Sequence, residues 1–244
     1  PRNLEEKLVQ SINAINRERA VQTLDPEAAT RIAQYEMAFR MQLSVPELTD
    51  MKDETPETLQ RYGVKRAGDG TFASNCLLAR RLLERGVRCV QVYHRAWDHH
   101  RNMEVAMPIA ARETDAACAA LLDDLEQRGM LDSTLVVWGG EFGRTPTVEL
   151  PTAGANAGKV NGRDHNHHGF TMWMAGGGVR GGTVYGETDE FGFKSVKDVV
   201  HVHDLHATIM KLLGFNHEEF TFRHAGRDYR LTDVHGKVVQ GLIA

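Results

Sequence analysis

Residues 72–94 read FASNCLLARRLLERGVRCVQVYH, and the change of rhythm inside them decides the expected fold. Apolar positions at helical spacing through FASNCLLARRLLERG predict an amphipathic helix. Gly86 suits the left-handed residue just past its end. VRCVQVYH then reads as a buried strand. The alternation continues downstream. Residues 103–128, rich in alanine and leucine, predict a long helix. TLVVWGG (134–140) and FTMWMAGGG (170–178) read as further buried strands, and HDLHATIMKLLG (203–214) as another helix. Strands alternating with helices imply an α/β fold: a largely parallel sheet with helices on both faces.

Upstream, residues 1–62 read as helical throughout. Asp25-Pro26-Glu27 is a helix start, with Asp as the cap and Pro at the first helical position. Ile32, Tyr35, Met37, Phe39 and Met41 supply apolar surface for packing. Pro46 and the acidic stretch MKDETPE end that run, and Thr55-Pro56-Glu57 starts a shorter helix. Two regions are expected: a helical segment over 1–66 that packs on the core, and an α/β domain over 67–244.

Composition narrows the function classes. The 244 residues carry a formal charge of −4, which gives no electrostatic reason to expect nucleic acid. No apolar run approaches the ~20 residues that span a bilayer. The opening PRNLEEKLVQ lacks the apolar core of a signal peptide. Cys76, Cys89 and Cys118 are odd in number and far apart, so neither a disulfide framework nor a CxxC metal site fits. All three lie in apolar patterns and read as core thiols. The chain begins at Pro1, which reads as a processed or truncated start.

In an open α/β sheet, ligands bind beyond the carboxyl ends of the strands. Three polar clusters fall near such ends: HRAWDHHRN (94–102), GEFGRTP (140–146) and GRDHNHHGF (162–170). In the first, Asp98 and His100 are two apart and face the same way in an extended chain. A carboxylate and an imidazole aimed at one point suit a borderline cation such as Zn²⁺. An Asp–His hydrogen bond in a turn is the competing reading. In the second, Glu141 is a candidate metal ligand, and Arg144 could grip an oxyanion in bidentate fashion. A Glu–Arg ion pair shaping the loop accounts for them equally. In the third, Asp164 and His165 are candidate ligands, with His167 and His168 facing substrate or supporting the ligands. His203 and His206 join a weaker group with Asp204, in which Asp204 or His203 also reads as a helix cap. The glycine run at 176–178 lacks the Lys-Ser/Thr of a phosphate loop, and no GxSxG elbow occurs.

The stretches RIAQYEMAFRMQ, ARRLLERGVRCVQVYH, WGGEFGRTP, GRDHNHHGF, AGGGVRGGTVYGETDEFG, HDLHATI and GRDYRLTDVHG together resemble the domain of unknown function family 1501. Its members are sulfatase-like proteins related to the alkaline phosphatase superfamily. The resemblance implies an α/β sandwich with one or two divalent metals at strand ends, Zn first, with Ca, Mn or Mg as alternatives. It assigns Asp98, His100 and His165 to one metal. Glu141 takes the place of a second-metal Asp, whereas Phe142 stands where that site has a His. The usual N-terminal metal-binding Asp and hydroxyl or thiol nucleophile have no match in residues 1–70, and the sulfatase signature is missing. The nucleophile is therefore unknown, and the chain is expected to lack the N-terminal portion of the full fold. Family members often carry an export signal, so a periplasmic or extracytoplasmic setting is implied.

The leading expectation is a metal-dependent hydrolase of sulfate or phosphate esters, acting on a small-molecule or carbohydrate ester, with Arg144 steadying the anion. The alternative is a non-catalytic metal-stabilised or carbohydrate-binding module of the same fold. A metal-independent scaffold is the third reading.

Overall fold

Helix dominates the first half of the chain. The computed structural model describes residues 2–23, 26–66, 68–150 and 161–244, with side chains for all of these except 2–6, 19–23, 26–29 and 40–47. Helix α1 (Arg2–Thr23) packs against α2 (Pro26–Thr49). Between them Asn13 is buried and bonds Glu36 at 3.0 Å, and Arg17 reaches the same carboxylate oxygen at 2.7 Å. The cap expected at Asp25 lies outside the described residues. Helix α2 does not end before Pro46 but runs through it to Thr49. Of its apolar set, Ile32 is buried while Tyr35 and Met37 are exposed.

The next three helices obey their local signals. Helix α3 (Pro56–Tyr62) begins at Thr55, whose Oγ1 accepts the Thr58 N–H. Helix α4 (Phe72–Glu84) is capped the same way by Thr71. Gly86 follows it at φ 81°, with its N–H on the Leu83 carbonyl and the Val87 N–H on that of Leu82. Those two bonds close the helix end in the left-handed turn that glycine permits. Helix α5 spans Met103–Gln127. Small residues at Ala117 and Ala120 let it approach α4, and Met51, Tyr62, Val64, Cys76 and Leu77 complete the core. Complete burial of Leu77 contributes about 1.5–3 kcal/mol.

Beside this core lies a buried ion network. Arg80 reaches Glu54, Glu84 and Asp124 at 2.6, 2.7 and 2.9 Å. Arg81 holds Glu54 and Asp53, and donates to the carbonyls of Leu48 and Asp50. The Tyr62 hydroxyl donates to Asp124 at 3.0 Å. Burial pushes the Glu54 and Asp124 carboxyls up, but their arginine partners outweigh it and hold both below the usual range.

The parallel sheet expected from the strand–helix alternation is overturned. Among the described residues every sheet is antiparallel and two-stranded. Strand β1 (Val136–Trp138) pairs with β4 (Trp173–Ala175), and β2 (Gly143–Arg144) with β3 (His165–Asn166). Strand β5 (Glu187–Thr188) pairs with β6 (Ser195–Lys197), and β7 (Thr221–His224) with β8 (Arg227–Arg230). Helix α6 (Val202–Leu212) lies between the last two pairs in sequence. VRCVQVYH has no ladder partner among the described residues. Its burial alternates, with Val90, Val92 and His94 half-buried and Gln91 and Tyr93 exposed. Cys89, expected in the core, is exposed, whereas Cys76 is buried. The physical reason is that an apolar run signals burial and carries no strand direction or partner.

The β1–β4 register sets Trp138 opposite Trp173, and their rings stack at 6.1 Å. Trp97 meets Trp138 edge-on at 6.0 Å. This aromatic array adjoins the next residue, Asp98.

Candidate metal centre

Two loops carry the polar residues, and backbone hydrogen bonds draw them together. The pairing of β2 with β3 places Arg144 opposite His165. The ribbon continues outward through mutual bonds between Glu149 and Gly162. On its other side, the Arg163 N–H bonds the His99 carbonyl at 3.0 Å, docking residues 98–100 onto the ribbon. Gly162 allows this approach, because a Cβ there would overlap the His100 carbonyl. Within residues 97–100, the N–H groups of His99 and His100 each bond the carbonyl two residues back. This tight turn leaves Asp98 and His100 on the ribbon side, while His99 is buried beside Trp97.

Asp98, His100 and His165 converge. The Nε2 atoms of His100 and His165 are 2.9 Å apart, and each lies close to Asp98 Oδ1, at 3.1 and 2.9 Å. The other nitrogen of His100, Nδ1, pairs with Glu149 Oε2 at 2.9 Å and lies 4.0 Å from Asp164 Oδ1. Two overlapping donor groups result, Asp98–His100–His165 and His100–Glu149–Asp164. Asp164 also accepts the His165 N–H at 2.7 Å. Phe142 packs its ring against that of His165 at 4.5 Å.

Arg144 borders the first group. Its Nη1 lies 2.5 Å from Asp98 Oδ1 and its Nη2 3.5 Å from Glu141 Oε1, over the Phe142 ring. Nη1 is buried without an aligned hydrogen-bond acceptor, so its contact with Asp98 is an ion pair with N–H capacity to spare. The His165 hydrogen bond, followed by the Arg144 charge, holds the Asp98 carboxyl below its usual range. Burial, followed by the same arginine charge, holds His99 low, favouring its neutral ring.

The remaining candidates sit elsewhere. Glu141 faces Arg144 and enters neither donor group. His167 and His168 pack on each other at 3.8 Å. His203 stacks on His201, and His206 bonds the Val202 carbonyl at the start of α6. That helix is capped by His201, with Asp204 closing a reciprocal capping box. Glu149 was absent from the sequence candidates. Its only signal is an acid a few residues after Arg144, where an antiparallel return would set it beside GRDHN.

The donor chemistry fits a divalent cation. Two imidazole nitrogens and a carboxylate oxygen are a common set for Zn²⁺, whose tetrahedral ligands stand about 3.3 Å apart. The observed separations are within a few tenths of an ångström of that. No helix among the described residues is long and apolar enough to cross a membrane. Searches of curated proteins and of solved structures return no match. A family model described as "Protein of unknown function (DUF1501)" matches residues 1–243, and the chain belongs to that family.

Proposed function

We propose that this protein is a metal-dependent hydrolase of sulfate or phosphate esters, sulfatase-like and related to the alkaline phosphatase superfamily. One observation carries the reading: Asp98 Oδ1, His100 Nε2 and His165 Nε2 lie within 3.1 Å of one another, with Arg144 directly beside them. Two facing Nε2 atoms share one proton at most, so a cation at their centre relieves a contact that neutral rings satisfy only in part. A divalent metal, Zn first, held by these three residues would supply Lewis-acid polarisation of an ester oxygen. Asp98 remains ionised and ready to ligate, because its neighbours hold its carboxyl low. Arg144, steadied between Asp98 and Glu141, presents N–H groups to the non-bridging oxygens of a sulfuryl or phosphoryl group. Phe142 fixes the His165 ring from one side. The substrate class is a small-molecule or carbohydrate ester, and an extracytoplasmic setting goes with this reading.

Metal analysis and turnover test it. The wild-type chain should take up a stoichiometric divalent metal, and His165→Ala should lose it while keeping its fold. A wild-type chain that binds none of Zn, Mn, Ca or Mg overturns the proposal. Turnover of an aryl phosphate or aryl sulfate by the protein, with kcat falling about 10²–10³-fold in Arg144→Ala, supports the hydrolase. Metal binding without turnover supports the second reading, a metal-stabilised or carbohydrate-binding module, which the place of Phe142 beside His165 favours.

A further inference from the structure

Resting on that metal-site reading, we infer that Glu149 is the positioning residue of the centre: it selects which nitrogen of His100 faces the cation. His100 has two carboxylate-facing sides. Its Nε2 points at Asp98 and His165, and its Nδ1 lies 2.9 Å from Glu149 Oε2. A neutral imidazole carries one proton and one lone pair. An ionised carboxylate is an acceptor only, so Glu149 places the proton on Nδ1 and leaves the Nε2 lone pair free for the metal. Without it, Asp98 and the facing His165 nitrogen would compete to draw the proton onto Nε2, and the ligand atom would be blocked.

The backbone makes the arrangement specific. Glu149 and Gly162 exchange N–H bonds at 2.9 and 3.1 Å, which fixes the strand position of the carboxylate. Gly162 in turn lies against the His100 carbonyl, where no side chain would fit. Glu149 and the backbone of His100 are therefore held to one another through a single residue. Glu149 is mostly shielded from water, with a side chain 20% exposed, so its bond to His100 is screened less than a surface pair would be. Asp164, 4.0 Å from the same nitrogen, is too far for that bond and already accepts the His165 N–H.

The test uses the intact chain and Zn²⁺ alone, titrated against a chelating competitor, with ¹⁵N spectra of the apo protein reporting the His100 tautomer. The wild type should bind one equivalent and show the proton on Nδ1. Glu149→Ala should bind about 10–100-fold more weakly, the loss expected for removal of a ligand's hydrogen-bond partner. Its apo spectrum should shift toward the Nε2–H form. Glu149→Gln keeps an acceptor without the charge and should recover part of the affinity. Apo thermal midpoints should stay alike across the three, which a merely structural role would not give. Undiminished affinity in Glu149→Ala, or a second wild-type equivalent lost with Glu149, overturns the inference and leaves the metal site standing. A wild type that binds no Zn²⁺ removes the metal reading, while the tautomer spectra still decide whether Glu149 directs the proton.

Discussion

The Arg80–Arg81 network and the Asp98–His165 cluster are built from similar groups and reach opposite states. In the helical layer each guanidinium meets carboxylates on several sides, with contacts from 2.5 to 2.9 Å. That network is closed: burial of its charges is offset by partners already present. In the loop cluster, two imidazole nitrogens face each other and one carboxylate oxygen at 2.9–3.1 Å. Two like nitrogens converge there on one carboxylate oxygen, and beside them the buried Arg144 Nη1 has no aligned acceptor. The contrast separates charge used to join α3, α4 and α5 from charge arranged to receive something.

The largest effect should come from breaking the closed network. Arg80→Ala leaves Glu54 and Asp124, 6% and 8% exposed, with Arg81 and the partly exposed Arg128 as their remaining cationic partners, and should cost about 3–5 kcal/mol in urea unfolding. The half-exposed His165 should by contrast tolerate Ala within about 0.5 kcal/mol in the apo protein. Equal costs at the two sites would erase the distinction.

A smaller effect should follow pH. The Glu54 and Asp124 carboxyls sit below their ordinary values of 4.5 and 3.8, so the unfolded chain binds protons more readily than the folded one. Their stabilisation is fully present above those ordinary values and is lost as pH falls through the lower folded ones. Urea midpoints measured from pH 6 to 3 should fall in the wild type. In Arg80→Ala the fall should be shallower, and parallel curves would remove the network as its cause.

The smallest effect concerns thiols. Exposed Cys89 should react promptly with a thiol reagent. Cys76, whose thiol burial pushes up to about 12, should wait for unfolding, and equal rates would contradict the packing of α4.

Signals that act over a few residues were legible in the sequence. Thr55, Pro56, Gly86 and the alanine-rich run from 103 each act through their own backbone or the next turn, and the helices follow them. Strand pairing was not legible, because VVW at 136–138 is equally apolar whether its neighbour runs with it or against it. Pro46 also misled: a proline removes one backbone hydrogen bond, yet α2 runs on through it to Thr49. In the site, density and spacing marked Asp98, His100 and His165 as candidates among others, the family resemblance grouped the three on one metal, and the fold brings them together. Glu149 was not selected, since a lone acid acquires meaning only once the ribbon's register is known. Glu141 was selected for its place after a strand, and its partner is Arg144.

The tryptophan array has a spectroscopic consequence. Trp97, Trp138 and Trp173 are all the tryptophans of the chain, and they touch in series. Excitation energy passes among rings this close, so intrinsic emission reports one locus, a single residue from Asp98. Trp97 donates to His94 at 2.9 Å, and that imidazole also meets the Phe72 ring of α4 and the Glu113 carboxylate of α5, so loosening of the helical layer would reach the emission through one side chain.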